Sequence, residues 1–239
     1  MRRALVTGAS SPIGAAIATR LAADGVAVIL HAHRGGERTT ALAGELRQAG
    51  HAATAVAFDL TDADATAAAV AGLLAQGPVQ ILVHNAGTHD DVPMAGMSRG
   101  RWRHVIDVSL NGFFNVTQPL LLPMLATRWG RIVAMSSLSA IMGNRGQVNY
   151  AAAKAGLNGA VRALSLECAG RGVTVNGVAP GIIESPAVDA VLSREKIAAL
   201  VPMRRAGRPE EVAELVGFLA SDRAAYISGQ IISINGGLA

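Results

Sequence analysis

Along this chain, short β-branched and apolar runs alternate with Ala-rich stretches of helical length, and no linker, internal repeat or low-complexity segment interrupts the alternation. The runs Arg3–Thr7, Val26–His31, Ala52–Phe58, Val79–His84, Arg131–Met135, Gly172–Val178 and Gln230–Ile234 predict seven strands. Between them, Pro12–Ala23, Glu37–Ala49, Asp62–Ala75, Arg101–Thr127, Asn149–Ala169 and Pro209–Ala220 predict helices. Strand and helix in repetition imply a parallel sheet, because each right-handed crossover lays its helix back on the sheet. The expectation is one α/β domain over residues 1–239, a doubly wound seven-stranded parallel sheet with helices on both faces. Such sheets bind ligands beyond the carboxyl ends of their strands, so residues just after each strand are the functional candidates.

With 239 residues, 51% of them hydrophobic, the chain has ample material for one deep core, which excludes a disordered protein. Only 16% are charged and 3% aromatic, so the core must rest on Ala, Val, Leu and Ile. The single cysteine, Cys168, excludes an intrachain disulfide framework and a cysteine-cluster metal site, and reads as a small buried apolar residue. A net charge of +4 points toward anionic partners, yet Arg2-Arg3, Arg99, Arg101 and Arg103, and Arg204-Arg205 form no stripe, and nucleic acid binding is not expected. The longest uncharged stretch, Val108 to Thr127, carries Ser109, Asn111, Asn115, Gln118, Pro119 and Pro123, which predicts a buried helix rather than a membrane span. No apolar segment of export-signal length precedes Thr7-Gly8, and the expectation is a cytoplasmic protein.

The first strand ends in Thr7-Gly8-Ala9-Ser10-Ser11-Pro12-Ile13-Gly14 and opens an Ala-rich helix. Small residues there let backbone amides approach a pyrophosphate at the positive end of the helix dipole; an ordinary tight turn has the same composition. After the second strand comes His31-Ala32-His33-Arg34, and no acid appears until Glu37. In a dinucleotide fold that edge faces the adenosine ribose, where a carboxylate bonds a free 2'-hydroxyl and an arginine pairs with a 2'-phosphate, so Arg34 favours NADPH. His31 and His33 lack a third ligand at recognisable spacing, and no metal is expected. Asp59 and Asn85-Ala86-Gly87 also fall at strand ends. Asp59 either accepts the adenine amino group or caps a helix, and the Asn-Ala-Gly turn either admits adenosine or is only a turn.

The strongest constellation is Ser137, Tyr150 and Lys154. The last two stand four apart, on one face of the helix beginning near Asn149. With two tyrosines and two lysines in the chain, chance places such a pair about 2% of the time. A phenol with an ordinary pKa of about 10 is a poor proton shuttle at neutral pH, and an adjacent ammonium is expected to lower that value. Ser137, just past the fifth strand, is placed to hydrogen-bond a substrate oxygen. The trio suits carbonyl reduction or its reverse.

On these residues, together with Pro180-Gly181, the chain resembles the short-chain dehydrogenase/reductase family, a single-domain Rossmann-like fold, over essentially its whole length. The stretch Met142–Gly156 and the ending Ile234-Asn235-Gly236-Gly237 look like 3-oxoacyl-[acyl-carrier-protein] reductases, including those of bacterial aryl polyene pathways. The resemblance implies that Tyr150 protonates the 3-oxo oxygen while NADPH delivers hydride, that Lys154 bonds the nicotinamide ribose, and that Ser137 polarises the carbonyl. It implies cofactor contacts from Gly8, Ser10, Ser11, Ile13 and Gly14, from Arg34, from Asp59 and Leu60, and from Asn85, Ala86 and Gly87. Pro180, Gly181 and Ile183 would hold the nicotinamide, and Ser185–Leu200 would form a mobile lid over the acyl chain. Arg128 and Arg171 match basic positions offered to an acidic carrier protein, although arginine is this chain's usual cation, 19 against 2 lysines. Apolar surface on the long uncharged helix and on the Tyr-Lys helix, beyond what one sheet face needs, fits the homotetramer that the family implies.

Two positions depart from the family. Pro12 stands where a glycine is usual; proline lacks the amide hydrogen but suits the first turn of a helix. Ser109 replaces the asparagine that serves as fourth catalytic residue, holds a bend in its helix and offers its backbone carbonyl to a water beside the lysine. Serine keeps that carbonyl, so the expectation is a relay that persists through the backbone. The rival readings are a reductase of another carbonyl, such as a coenzyme A thioester, sugar or cyclic ketone, and a non-catalytic dinucleotide sensor.

Overall fold

The structure, a computed structural model, describes residues 1–34 and 36–239. Strands β1 (Arg3–Thr7), β2 (Ala27–Ala32), β3 (Ala53–Ala57), β4 (Ile81–His84), β5 (Gly130–Met135), β6 (Val173–Pro180) and β7 (Ile231–Ile234) form one sheet. Their order is β3-β2-β1-β4-β5-β6-β7, and every pairing is parallel. The doubly wound α/β fold expected from the alternating pattern is the fold found. The helices are α1 (Pro12–Ala23), α2 (Gly36–Gln48), α3 (Ala63–Leu74), α4 (Arg99–Ile106), α5 (Gly112–Ala126), α6 (Ser139–Met142), α7 (Val148–Cys168), α8 (Pro186–Asp189), α9 (Arg194–Leu200) and α10 (Pro209–Leu219).

The strand period of two builds two cores on the faces of this sheet. On β1, Ala4 and Val6 face one way, packing with Ile17 and Leu21 of α1 and Val212 and Val216 of α10. Leu5 faces the other way, into Leu120 of α5 and Leu157 of α7. Strands β4, β5 and β6 are buried throughout, whereas the edge strands β3 and β7 are partly open.

From β1 the chain adds β2 and β3 on one side, then crosses to place β4 on the other. The connections leaving β1 and β4 therefore part company and open a crevice beyond the strand ends. Among the described residues no helix is long and apolar enough to cross a membrane.

The pattern predicts one unbroken helix over Arg101–Thr127, and the structure divides it. Between α4 and α5, residues Asp107–Asn111 form a wider π-turn, in which Gly112 N reaches back five residues to Asp107 O. Within that turn the Ser109 carbonyl accepts a hydrogen bond from His84 Nε2 of β4, at 3.0 Å. A side chain entering the helical ladder from outside is a recognised cause of such bulges. Hydrophobic periodicity passes over the bulge because the apolar face continues on both sides.

Candidate active site

At the end of β1 the chain needs glycine for steric reasons. Gly8 has φ +63°, and a Cβ there would sit 2.9 Å from Ala86 Cα. A Cβ on Gly14 would overlap Gly8 O. The turn is tied across the crevice by Asn85, whose Nδ2 donates to Thr7 O (3.1 Å) and Gly8 O (2.9 Å) and meets Ser11 Oγ (3.1 Å). Thr7 Oγ1 accepts from Asn85 N (3.1 Å) and Ala86 N (3.0 Å). Ser11 caps α1 by accepting from Gly14 N at 3.1 Å, which leaves Pro12 in the first turn where a missing amide hydrogen costs no helical bond. Ser10 and Ile13 complete this tight turn at the positive end of a twelve-residue helix, a cradle that fits a dinucleotide pyrophosphate.

On the adenosine side, Arg34 is exposed just past β2. Asp59 Oδ1 accepts from Thr61 N (2.9 Å) and Thr61 Oγ1 (2.8 Å) and lies 3.2 Å from His33 Nδ1. The cap of α3 is Asp62, through Ala65 N, so the capping role weighed for Asp59 belongs to its neighbour. Leu60 is buried, and its carbonyl accepts from Asn115 Nδ2 at 2.8 Å, which fixes the backbone there. His31 is buried with Nε2 at 2.9 Å from Phe58 O, and burial pulls its pKa to about 4, so its ring is neutral. Among the described residues no group of three or more His, Cys, Asp or Glu is arranged to hold a metal ion.

Ser137, Tyr150 and Lys154 converge on one cavity of about 320 Å³. Its wall also takes Ser11 and Ile13 from the turn, Asn85 and Gly87 after β4, and Pro180, Gly181 and Ile183 after β6. Lys154 is 2% exposed; its Nζ donates to Met135 O at 2.8 Å and lies 5.7 Å from the Tyr150 ring centre. Burial lowers its pKa to about 8. For Tyr150 burial is also the largest influence and raises the phenol above its ordinary value, against the pull of the Ser137 hydroxyl. The expected depression by the ammonium is therefore not what this geometry gives. Nζ is engaged by the Met135 carbonyl, and desolvation of the phenolate outweighs the rest. A phenol that keeps its proton suits a general acid.

Several contributors carried no signal in motif spacing. The Met135 carbonyl is backbone, and Asn149 acts by accepting from Tyr150 N (2.8 Å) and donating to Asp90 O (3.1 Å). Ser137 Oγ accepts from Ser139 N (3.2 Å), while Ser139 Oγ donates to Gln147 Oε1 (2.8 Å) and Gln147 Nε2 to Asp91 Oδ2 (2.7 Å). His89 sits on the same strap, 3.1 Å from Asp91 and edge-on to Tyr150.

The remaining candidates fall in three places. Ser109 is fully buried behind the cavity wall, not in its lining. The segment 185–200 carries α8 and α9 and contributes Ser185, Ala187 and Val188 to the cavity. Arg128 and Arg171 are exposed and adjoin each other where β5 and β6 begin, since a Cβ on Gly172 would strike Arg128 O. That is the end of the sheet opposite the cavity, about 20 Å away along a six-residue strand.

A dinucleotide crevice opening onto a half-buried Ser137 and Tyr150 beside a buried Lys154 defines an oxidoreductase of alcohol and carbonyl groups. The chain belongs to the short-chain dehydrogenase/reductase family, and residues 8–239 match the family described as enoyl-(acyl carrier protein) reductase. It is 41% identical to the 3-oxoacyl-[acyl-carrier-protein] reductase FabG of Aggregatibacter actinomycetemcomitans over 98% of both chains. Its identity to the FabG of Aquifex aeolicus is 44%, over 98% of this chain and 96% of the other. It is also 42% identical to nodulation protein G of Azospirillum brasilense, over 98% of this chain and 97% of that one.

Proposed function

We propose that this protein reduces the 3-oxo group of an acyl thioester carried on acyl carrier protein, giving the 3-hydroxyacyl thioester with NADPH as reductant. NADPH supplies the hydride that the carbonyl carbon accepts. Tyr150 gives its proton to the carbonyl oxygen, and Ser137 donates a hydrogen bond to the same oxygen and holds it in place. Lys154 presents its ammonium to the ribose and restores the tyrosine proton. The observation that carries this reading is the convergence of Tyr150, Ser137 and Lys154 on one cavity, where desolvation holds the phenol above its ordinary pKa. Full-length relatives named for 3-oxoacyl reduction favour this over reduction of an enoyl group.

Arg34, with no carboxylate before Glu37, supports selection of the 2'-phosphate. Exposed apolar side chains on α5 and α7, Phe114, Leu122 and Leu166, support a homotetramer built on those helices. In such an assembly a carrier protein seated on Arg128 and Arg171 serves the cavity of a neighbouring subunit, because these arginines lie across the sheet from their own. A cytoplasmic location and use in aryl polyene synthesis accord with the same reaction.

The test follows NADPH absorbance with an acetoacetyl thioester. Tyr150→Phe is expected to lower turnover by about 10³ while NADPH still binds, the size of a lost general acid. Binding without turnover by the unaltered protein on any 3-oxoacyl thioester would instead establish the sensor. Arg34→Ala is expected to narrow the preference for NADPH over NADH by about tenfold or more, measured as the ratio of kcat/KM values.

A further inference from the structure

His84 is a buried titratable side chain to which the chemistry above gives no task. It ends β4, is fully buried, and stacks edge-on against Phe113 of α5 with ring centres 5.4 Å apart. Its two nitrogens face two different elements. Nε2 lies 3.0 Å from Ser109 O, a group that only accepts, so Nε2 carries the hydrogen. Burial, and the nearby Lys154 ammonium, pull the ring pKa to about 3, so it is neutral and Nδ1 is an acceptor. Thr7 Oγ1 lies 3.4 Å from it and 3.5 Å from Val83 O, and the same oxygen accepts the amides of Asn85 and Ala86. One imidazole thus joins the end of β1, the end of β4 and the π-turn.

The π-turn is clamped from the other side by α7. A Cβ on Gly156 would lie 2.9 Å from Leu110 Cδ2, so the turn packs directly against the helix that carries Lys154. Ser109 Oγ is buried and has no hydrogen-bond partner among the described residues. The point where a Cβ on Gly87 would stand is 3.0 Å from Lys154 Nζ and 3.4 Å from Ser109 Oγ, so the ammonium and the unsatisfied hydroxyl flank one spot. The Ser109 carbonyl, expected to serve the lysine, accepts from the imidazole and keeps a second lone pair, while the hydroxyl has no partner among the described residues.

We infer that His84 is a positioning residue for Lys154, holding the Ser109 carbonyl and with it the π-turn, so that the Ser109 hydroxyl flanks the same spot as the ammonium that Met135 O already bonds. The inference rests on the reductase reading for its kinetic consequence but not for its geometry. Around Nζ the other titratable groups are Tyr150, one turn back on α7, and His84 itself.

The chain contains two lysines, Lys154 and Lys196, so side-chain ¹⁵N-lysine NMR of the full protein gives two ammonium signals, with exposed Lys196 as internal control. In His84→Phe the Lys154 titration midpoint is expected to fall by about half a unit or more, because the charged form loses a polar neighbour. Ser109→Ala is expected to do the same with no loss of Tm, since its hydroxyl has no partner to lose. His84→Gln, whose amide donor reaches as far as Nε2, restores the midpoint. In kinetics, His84→Phe lowers kcat about thirtyfold with KM and NADPH affinity within about threefold, and Gln recovers most of it. An unmoved Lys154 midpoint in folded His84→Phe or in Ser109→Ala overturns the inference. So does a parallel loss of kcat and NADPH affinity that Gln does not rescue. Absence of turnover in the unaltered protein refutes the reductase reading, and the NMR result still decides this one.

Discussion

The cavity has two walls of different construction. The inner wall, made where β4 and β5 end and by α7 and backed by the π-turn, belongs to a continuous core that includes Leu82, Leu120, Ile132 and Leu157. The outer wall, residues 185–200, rests on a satellite cluster with three buried members, Ile197, Val201 and Ala206. Its helices have four and seven residues and begin at serine caps. Ser137, Tyr150 and Lys154 are thus held against the main core, and residues 185–200 against a small cluster of its own, the kind that opens locally. Fixed chemistry beside an adjustable segment is an arrangement with which a reductase can admit and release its substrate.

The contrast breaks first at the inner wall. Leu157 is 0% exposed, and Leu157→Ala is expected to cost about 3–4 kcal/mol and lower Tm by about 10 °C, seen in thermal unfolding. An effect as small as that of a surface substitution would show the inner wall to be as loose as residues 185–200.

Lys154 offers a second measure of the same rigidity. Its pKa in the folded protein is about 8, against an ordinary 10.5. Between these values the unfolded chain holds a proton that the folded chain has shed, so stability contributed by this site rises with pH. Relative to Lys154→Met, the unaltered protein should therefore gain about 3 kcal/mol between pH 8 and 10.5 in urea titrations. A flat difference over that range would mean that water reaches the ammonium.

At the outer wall the expected effects are kinetic. Ile197→Ala removes the largest member of the satellite cluster. It should raise KM for the thioester about fivefold and speed proteolysis within 185–200, with Tm lowered by less than about 3 °C because that cluster opens independently of the main core. A large fall in Tm would join the two walls into one cooperative unit.

The same division explains what was legible before the fold was known. Ser137, Tyr150 and Lys154 were readable because a four-residue spacing on a helix and a position after a strand are direct consequences of periodicity, and the cavity gathers all three. The glycine-rich turn was readable for a similar reason, since Gly8 and Gly14 answer to steric contacts that a side chain would violate. The π-turn was not, because its cause, His84 bonding to Ser109 O, joins residues 25 apart that share no pattern. Met135 contributes a carbonyl, which its side chain does not advertise. The helices α8 and α9 are too short for a period to declare itself, and Arg128 and Arg171 carried composition but no location.

The smallest expected effect separates the walls with one chemical change made twice. Ser185 caps α8 by accepting from Val188 N at 3.2 Å, its only side-chain hydrogen bond among the described residues. Ser11 caps α1 but also donates to Gly8 O (2.9 Å) and meets Asn85 Nδ2 (3.1 Å), so it is bonded on three sides. An N-cap serine is worth about 1 kcal/mol on its own. In the four-residue α8 that loss shifts a local equilibrium, so Ser185→Ala should raise KM for the thioester about threefold and leave Tm and NADPH affinity unchanged, with Ser185→Asn restoring KM. Ser11→Ala should act in the opposite sense, weakening NADPH and lowering Tm while KM for the thioester holds. If Ser185→Ala weakened NADPH as much as the thioester, residues 185–200 would be part of the cofactor cradle, and the inner wall would extend further across the cavity than its core contacts indicate.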